Sequence, residues 1–238
     1  MNFIASTQNI TRFASKDWHI HWLPILLIGA IAVASLGFVT YLLWPTWDVD
    51  AAKEPTRLPV SVGSTLFNVP SASIRMKIQH RTGPQERIDL SFIYPSLEAP
   101  EAQKHVSAAE VEDAAMQPID RIFLSIASHH DALAPEMRAR TIFPRYLDSA
   151  ATTGEDGLMM RAFREGSPYS GEDLFSASAP EFTARCSREA ATPGMCLSER
   201  RVEGADLTFR FPRRWLAHWR EVAQAMDRLT RELHGQNK

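Results

Sequence analysis

The chain has little cysteine, nearly balanced charge and no second cysteine pair that could complete a zinc site. Two cysteines in 238 residues exclude a disulfide-rich scaffold, so the fold must depend on a hydrophobic core. Two cysteines also fall short of the roughly four ligands that a structural zinc site needs. The formal net charge of −2 argues against a nucleic-acid-binding protein, which usually carries a strongly basic face. We predict no metal, no cofactor and no nucleic-acid partner.

The common catalytic and nucleotide-binding motifs are missing as well. The chain has no Walker loop, no G-x-G-x-x-G, no H-E-x-x-H and no G-x-S-x-G. One polar cluster, His129, His130 and Asp131, follows a predicted strand. Imidazole and carboxylate groups are suitable metal ligands, but adjacent side chains on an extended chain point in opposite directions. We interpret the cluster as a polar loop, with a catalytic or metal site as the alternative.

One apolar run has no counterpart elsewhere in the chain. Leu23–Trp44 contains 22 residues without a single charged residue, His, Asn or Gln. As an α-helix it would reach about 33 Å, enough to cross a hydrocarbon core of about 30 Å. Trp18 and Trp22 precede it, and further aromatic residues mark its far end, as at two membrane interfaces. The run predicts one transmembrane helix in contact with the lipid bilayer.

The sequence indicates less clearly on which side of the membrane each end of this helix lies. Two basic residues precede it and two follow it within 20 residues, so the positive-inside rule gives a tie. A short first segment and a long remainder are typical of an uncleaved signal anchor, which favours a cytoplasmic N-terminus. Cleavage near Val49–Ala51, releasing a secreted domain, is the alternative. Gly29, Val33 and Gly37 share one helix face, which favours self-association or a partner helix there.

Composition divides the chain into four parts. We predict a cytoplasmic tail at 1–22, the membrane helix at 23–44, a polar linker at 45–57 and one α+β domain at 58–238. This plan is similar to that of single-span envelope proteins of Gram-negative bacteria. The apolar run and the signal-anchor layout predict an anchor in the inner membrane and a domain in the periplasm.

Alternation of apolar and polar residues predicts a mainly antiparallel sheet in this domain. Residues 71–80 and 86–95 predict a hairpin around a Gly-Pro turn, and residues 120–128 predict a more central strand. Residues 149–173 predict a long surface excursion with one short strand inside it. A short helix over 134–147 should be interrupted at Pro144. Three more strands are predicted near the C-terminus, at 181–187, 195–202 and 205–212.

An amphipathic helix of about 22 residues is predicted after Pro212. Its apolar residues recur at spacings of three and four: Trp215, Trp219, Val222, Met226, Leu229 and Leu233. We expect this face to close the sheet, because an α+β domain needs a covering helix. Arginines on the polar face make a membrane-surface or partner-binding helix the alternative.

Cys186 and Cys196 flank a chain reversal at residues 191–194, which predicts a disulfide across a hairpin. Such a bond needs an oxidising compartment, as a periplasmic domain would have. Free thiols in a cytoplasmic domain are the alternative. The sequence thus predicts an anchored envelope protein with a non-enzymatic binding or scaffolding role. An anchored hydrolase-like enzyme with a site between residues 129 and 173 is the competing hypothesis.

Overall fold

The computed structural model describes residues 18–43, 55–100, 118–154, 156–188 and 194–235. The chain divides into two compact units, Met1–Glu54 and Pro55–Lys238. In the first unit, helix α1 runs from Trp18 to Leu43. Among the described residues, no helical stretch reaches both the length and the hydropathy of a membrane span. The predicted transmembrane segment is found as a helix, and its role as a span stays a prediction.

The second unit contains eleven strands and two α-helices among its described residues. The strands are β1 Arg57–Val62, β2 Thr65–Pro70, β3 Gly83–Gln85, β4 Arg87–Ile93, β5 Arg121–Ser128, β6 Thr152–Thr153, β7 Met159–Ala162, β8 Glu172–Ser178, β9 Glu181–Ser187, β10 Met195–Val202 and β11 Ala205–Pro212. The helices are α2 Pro135–Thr141 and α3 Trp219–His234. Short 3-10 helices cover Ser71–Ser73, Lys77–Gln79, Phe143–Arg145 and Arg213–His218.

The strands form two sheets. Eight of them are ordered β4-β5-β11-β10-β9-β8-β7-β6, and every neighbouring pair in this sheet is antiparallel. A smaller sheet is ordered β2-β1-β3, in which β1 and β2 form an antiparallel hairpin and β3 runs parallel to β1. The predicted α+β class with a mainly antiparallel sheet is confirmed.

One face of the large sheet carries the main core. Leu90, Leu124 and Phe209 lie side by side on β4, β5 and β11, and all three are buried. Helix α3 buries the stripe of apolar residues that the sequence predicts: Trp219, Val222, Met226, Leu229 and Leu233. The predicted closing helix is therefore confirmed. Its first turns differ, because Arg213–His218 is a 3-10 helix and α3 begins at Trp219.

The hairpin of β1 and β2 joins the small sheet to a turn of the large one. Gly63 in its turn has a φ of +60°, and a Cβ there would collide with the carbonyl oxygen of Gly204. Gly204 in turn donates its backbone N–H to Thr65 Oγ1 at 2.9 Å. The sequence patterns did not identify this hairpin, although Val60, Val62, Phe67 and Val69 are all fully buried.

The predicted strand at 71–80 is wrong. Its two 3-10 turns, Ser71–Ser73 and Lys77–Gln79, leave only an isolated bridge between Ile74 and Leu90. Alternation misled here because Met76 and Ile78, the apolar members of the pattern, are exposed. The strand predicted at 86–95 is confirmed as β4.

The region between 149 and 173 is more ordered than predicted. It contributes β6, β7 and the start of β8, which extend the large sheet to its edge. Phe163 and Leu174 join Phe143 and Leu147 in a second, smaller core on the opposite face of the sheet. The predicted short helix is found as α2, but it already ends at Thr141, and Pro144 lies within the 3-10 turn Phe143–Arg145.

Candidate functional site

In the structure, the side chains of the polar cluster predicted at 129–131 point in different directions. His129 Nδ1 lies 2.9 Å from the carbonyl oxygen of Gly204, so this imidazole braces the turn before β11. His130, with a φ of +42°, turns away and places Nε2 3.2 Å from Ser128 Oγ. Asp131 occupies the exposed turn that follows. The three side chains therefore do not converge on a common point.

Ser128, His130 and Glu86 form a contact that resembles a catalytic triad only in composition. Ser128 Oγ donates to Glu86 Oε2 at 2.8 Å, and His130 Nε2 lies 3.4 Å from the same oxygen. In a triad, the carboxylate orients the far nitrogen of the imidazole and leaves the near one for the serine. Here the carboxylate contacts the serine and the near nitrogen, and the side chains of His130 and Glu86 are both more than three-quarters exposed. The described residues contain no group of three or more potential metal ligands.

Cys186 and Cys196 form a disulfide that joins β9 to β10. They lie directly opposite each other in the strand register, and both side chains are fully buried. The hairpin placement of the bond agrees with the sequence-based prediction. Their Cα atoms are 3.9 Å apart, which is nearer to the roughly 4.5 Å of a non-hydrogen-bonded antiparallel pair than to the roughly 5.5 Å of a hydrogen-bonded one.

An ion-pair network lies beside the disulfide. Asp173 on β8 is the register neighbour of Cys186 and is almost completely buried. Arg213 Nη2 donates to its Oδ2 at 2.6 Å, and Arg188 Nε donates to its Oδ1 at 2.9 Å. Arg213 also donates to the carbonyl oxygen of Ser187 at 3.2 Å. These contacts tie β8, the end of β9 and the start of the C-terminal helical region together at one point.

From that point the two disulfide-linked strands separate. β9 pairs with β8 along all seven of its residues, and β10 pairs with β11 along all eight. The register between β9 and β10 consists of only two pairs, Cys186–Cys196 and Arg185–Leu197. A cavity of about 540 Å³ follows, lined by Glu181–Thr183 on β9 and Leu197–Arg200 on β10. We call this space the β9–β10 cleft.

The walls of the β9–β10 cleft combine apolar surface with charged groups. Its apolar lining comes from Pro135, Ala139, Phe143, Pro144, Leu147, Met159, Leu174, Pro180, Phe182 and Leu197. Helix α2 and the 3-10 turn after it form one wall, and β7, β8 and β9 contribute another. Asp227 reaches the cleft from α3. A concave apolar surface with a few polar groups is the usual form of a binding site.

The charges at the cleft are organised as ion pairs. Arg200 bonds to Asp227 at 2.6 Å, Arg138 to Glu199 at 3.2 Å and Arg185 to Glu172 at 2.6 Å, while Arg140 lies 3.9 Å from Glu181. The guanidinium of Arg185 also lies over the rings of Phe143 and Tyr169, at 5.6 and 5.1 Å from their centroids. The walls are therefore fixed from several elements, which pre-organises the cleft.

Two strand edges face the cleft with backbone groups that have no registered strand partner across it. In an antiparallel pair, successive residues point their N–H and C=O groups to opposite sides. Because the cysteines form a non-hydrogen-bonded pair, the backbone N–H and C=O groups of Arg185 and Leu197 point toward each other. By the same alternation, the backbone groups of Thr183 and Glu199 point into the cleft. Arg201, next in this series, donates its N–H to Glu136 Oε1 of α2 at 3.1 Å.

The sequence patterns did not identify this cleft. Its components were each predicted as ordinary strand or helix, at 134–147, 181–187 and 195–202. The one signal is the charged run Glu199–Arg201, which begins two residues after the last β10 residue that pairs with β9, Leu197. A strand that becomes charged on both faces indicates that one of its partner strands ends there, but the pattern does not identify which one.

Comparisons with known proteins describe the fold. No protein-family model matches the chain, and no curated protein matches it in sequence. An immunity protein of the Stenotrophomonas maltophilia type IV secretion system is similar in structure, with a TM-score of 0.50 and 13% identity over 75% of this chain and 93% of that protein. The iron-regulated outer membrane lipoprotein FrpD of Neisseria meningitidis matches with a TM-score of 0.36 and 9% identity, over 66% of this chain and 80% of its own.

Proposed function

We propose that the chain is a membrane-anchored protein of the cell envelope, and that its second unit binds another protein through the β9–β10 cleft. The observation that carries the proposal is the separation of β9 from β10 after the Arg185–Leu197 pair. It leaves two strand edges on either side of a cavity of about 540 Å³ whose walls carry both apolar and charged side chains. An extended segment of a partner can add to such an edge by main-chain hydrogen bonds.

The charged groups of the cleft favour a binding role over catalysis. Arg200 with Asp227 and Arg138 with Glu199 form ion pairs, so their charges are balanced rather than directed at a reacting group. Polar groups at the rim and apolar groups in the centre are typical of protein interfaces. A protein that shares this fold is an immunity protein of a type IV secretion system.

The support for anchoring comes from the sequence. In the sequence, Leu23–Trp44 is an uninterrupted apolar run of 22 residues, a pattern typical of a span. Large apolar side chains on the described part of α1, such as Ile25 and Phe38, are exposed and need an apolar environment. We infer an inner-membrane anchor with a cytoplasmic N-terminus, and a partner helix at the Gly29, Val33 and Gly37 face.

The disulfide supports a periplasmic placement of the second unit. Structural disulfides form and persist in oxidising compartments, and a reducing cytoplasm keeps thiols free. Both cysteines of the chain are in the bond between β9 and β10. Paired reporters fused at the C-terminus, one active only in the cytoplasm and one only outside it, test this placement. A signal from the cytoplasmic reporter would overturn it.

The cleft is tested by photocrosslinking in cells with the full chain. A photoreactive amino acid at Thr183, in the cleft, should yield a discrete crosslinked product with a second protein. The same amino acid at Gln224, on the exposed side of α3, is the matched control and should not yield that product. Thr183→Trp, which fills the cleft, should abolish a crosslink made from Met159, which lines the same wall on β7. Equal products from Thr183 and Gln224 would contradict the cleft as the binding site.

A further inference from the structure

The segment 71–81 presents two large apolar side chains to solvent. Ile78 is 81% exposed and Met76 is 52% exposed, more than any other large apolar side chain described in the second unit. The basic residues Arg75, Lys77 and Arg81 alternate with them or lie close by, and all three are exposed. Exposed apolar residues bordered by cations are characteristic of contact with an anionic lipid surface.

The exposure of this segment is built into the fold. Arg75 donates its backbone N–H to the carbonyl oxygen of Asp89 at 2.9 Å, and Asp89 donates its own N–H to Gln79 Oε1 at 2.9 Å. On the far side, Gln85 Nε2 donates to the carbonyl oxygen of Gln79 at 3.1 Å. Ile78 lies in the 3-10 turn between these attachments. The backbone is therefore held against β4 and its neighbours while the apolar side chain points outward.

The basic residues of the segment outnumber the carboxylates near it. Asp89 is paired with Arg87 at 2.8 Å, while Glu86 accepts from the uncharged hydroxyl of Ser128 at 2.8 Å and keeps its charge. Arg75 lies over the ring of Phe123, 4.8 Å from its centroid. The segment therefore presents positive charge next to its apolar side chains, the arrangement that favours phosphate headgroups over a neutral surface.

The segment also lies where the membrane-proximal chain enters the domain. Ser71 donates its backbone N–H to the carbonyl oxygen of Thr56 at 3.1 Å, so the first residues of the second unit adjoin the start of the segment. Residues 44–54 separate the end of α1 from Pro55. A chain of that length spans at most about 40 Å. A bilayer that held the apolar run would thus lie within reach of residues 71–81.

We propose that residues 74–81 rest on the surface of the bilayer that holds the anchor. Met76 and Ile78 insert at the level of the headgroups, while Arg75, Lys77 and Arg81 contact anionic phosphates. This contact depends on the membrane anchoring proposed above. The β9–β10 cleft lies three to four strands from β4 in the same sheet, about 14–19 Å away, so the contact leaves it accessible.

The test uses the full chain in nanodiscs of phosphatidylethanolamine and phosphatidylglycerol. Ile78→Cys carries a nitroxide, because both native cysteines are in the disulfide and cannot react. Met159→Cys on β7, six strands from β4, carries the control label. For each label we measure the ratio of its collision rate with oxygen to its collision rate with a water-soluble nickel chelate. We expect this ratio to be several-fold higher at 78 than at 159. Replacing phosphatidylglycerol by phosphatidylcholine should reduce that difference.

The possible failures are distinguishable. A chain that does not incorporate into nanodiscs overturns the anchoring, and the surface contact with it. Incorporation with equal nickel accessibility at 78 and 159 overturns the surface contact alone and leaves the anchoring intact. A label at 78 that is shielded from both oxygen and the nickel chelate indicates burial against protein, which also overturns the contact. Lys77→Glu should lower the oxygen preference at 78 without changing incorporation.

Discussion

Arg213 donates to Asp173 at 2.6 Å, and this carboxylate is only 7% exposed. The pair joins the start of the C-terminal helical region to β8, one register position from the disulfide. Arg188 completes the network from the end of β9. Asp173 is therefore the residue through which three separate segments are held together at the closed end of the β9–β10 cleft.

Asp173→Ala should lower the free energy of unfolding by about 3 kcal/mol, because it leaves two guanidinium groups without their buried partner. Asp120→Ala is the matched control, since Asp120 forms an exposed ion pair with Arg121 at 3.3 Å. The control should cost less than about 1 kcal/mol. Denaturant unfolding of both variants measures the difference. Equal losses would show that the network contributes no more than a surface pair.

Replacing both cysteines by alanine should lower the free energy of unfolding by about 3 kcal/mol, mainly because the unfolded chain gains freedom. The bond closes a loop with a sequence separation of 10. Denaturant unfolding under oxidising conditions measures the loss. The native protein should also show no thiol that reacts with an alkylating reagent. Two reactive thiols would contradict both the bond and the periplasmic placement inferred from it.

Trp219 should tolerate replacement by phenylalanine far better than by alanine. It is 2% exposed and packs on Phe182, with ring centroids 5.6 Å apart. Its indole Nε1 has no hydrogen-bond partner among the described residues. Trp219→Ala should therefore cost about 3–5 kcal/mol, whereas Trp219→Phe removes an unpaired donor and should cost about 1 kcal/mol. Similar losses for the two variants would indicate a hydrogen bond to this nitrogen.

Asp89 should make the stability of the domain depend on acid pH. Burial alone would raise the pKa of Asp89, but hydrogen bonds from Arg87 and Gln79 outweigh it and hold the pKa below its usual value. The stabilisation is then complete above the unfolded pKa of about 3.9 and is lost as the pH falls through the lower folded value. Asp89→Asn should flatten the decline in unfolding free energy below pH 4. An unchanged decline would contradict this assignment.

Local patterns predicted the parts of the fold that are half-buried and amphipathic. Strands such as β4 and β11 and helix α3 present one apolar face to a single core, so their periodicity is visible in the sequence. The same rule failed at residues 71–80, where the alternating apolar side chains Met76 and Ile78 face solvent. Alternation of apolar and polar residues indicates that a segment can form a strand. It does not indicate whether a second strand is available to pair with it.

The cleft could not be predicted from the sequence, because it depends on where pairing stops. β9 and β10 each have complete partners on their other sides, and the loss of pairing after Leu197 reflects contacts from distant segments. Glu136 of α2 bonds to the backbone of Arg201, and Asp227 of α3 bonds to Arg200. Contacts between strands and helices that are far apart in the sequence cannot be predicted from a local sequence pattern.

The most direct test is amide hydrogen exchange on the full chain, free and bound to the protein that crosslinks from the β9–β10 cleft. The backbone groups of Thr183 and Glu199 point into the cleft, so their amides should exchange rapidly in the free chain. Binding should slow both by at least tenfold, while the amide of Leu207, already paired within the sheet, should not change. Protection elsewhere, with unchanged exchange at Thr183 and Glu199, would contradict binding between the two strands.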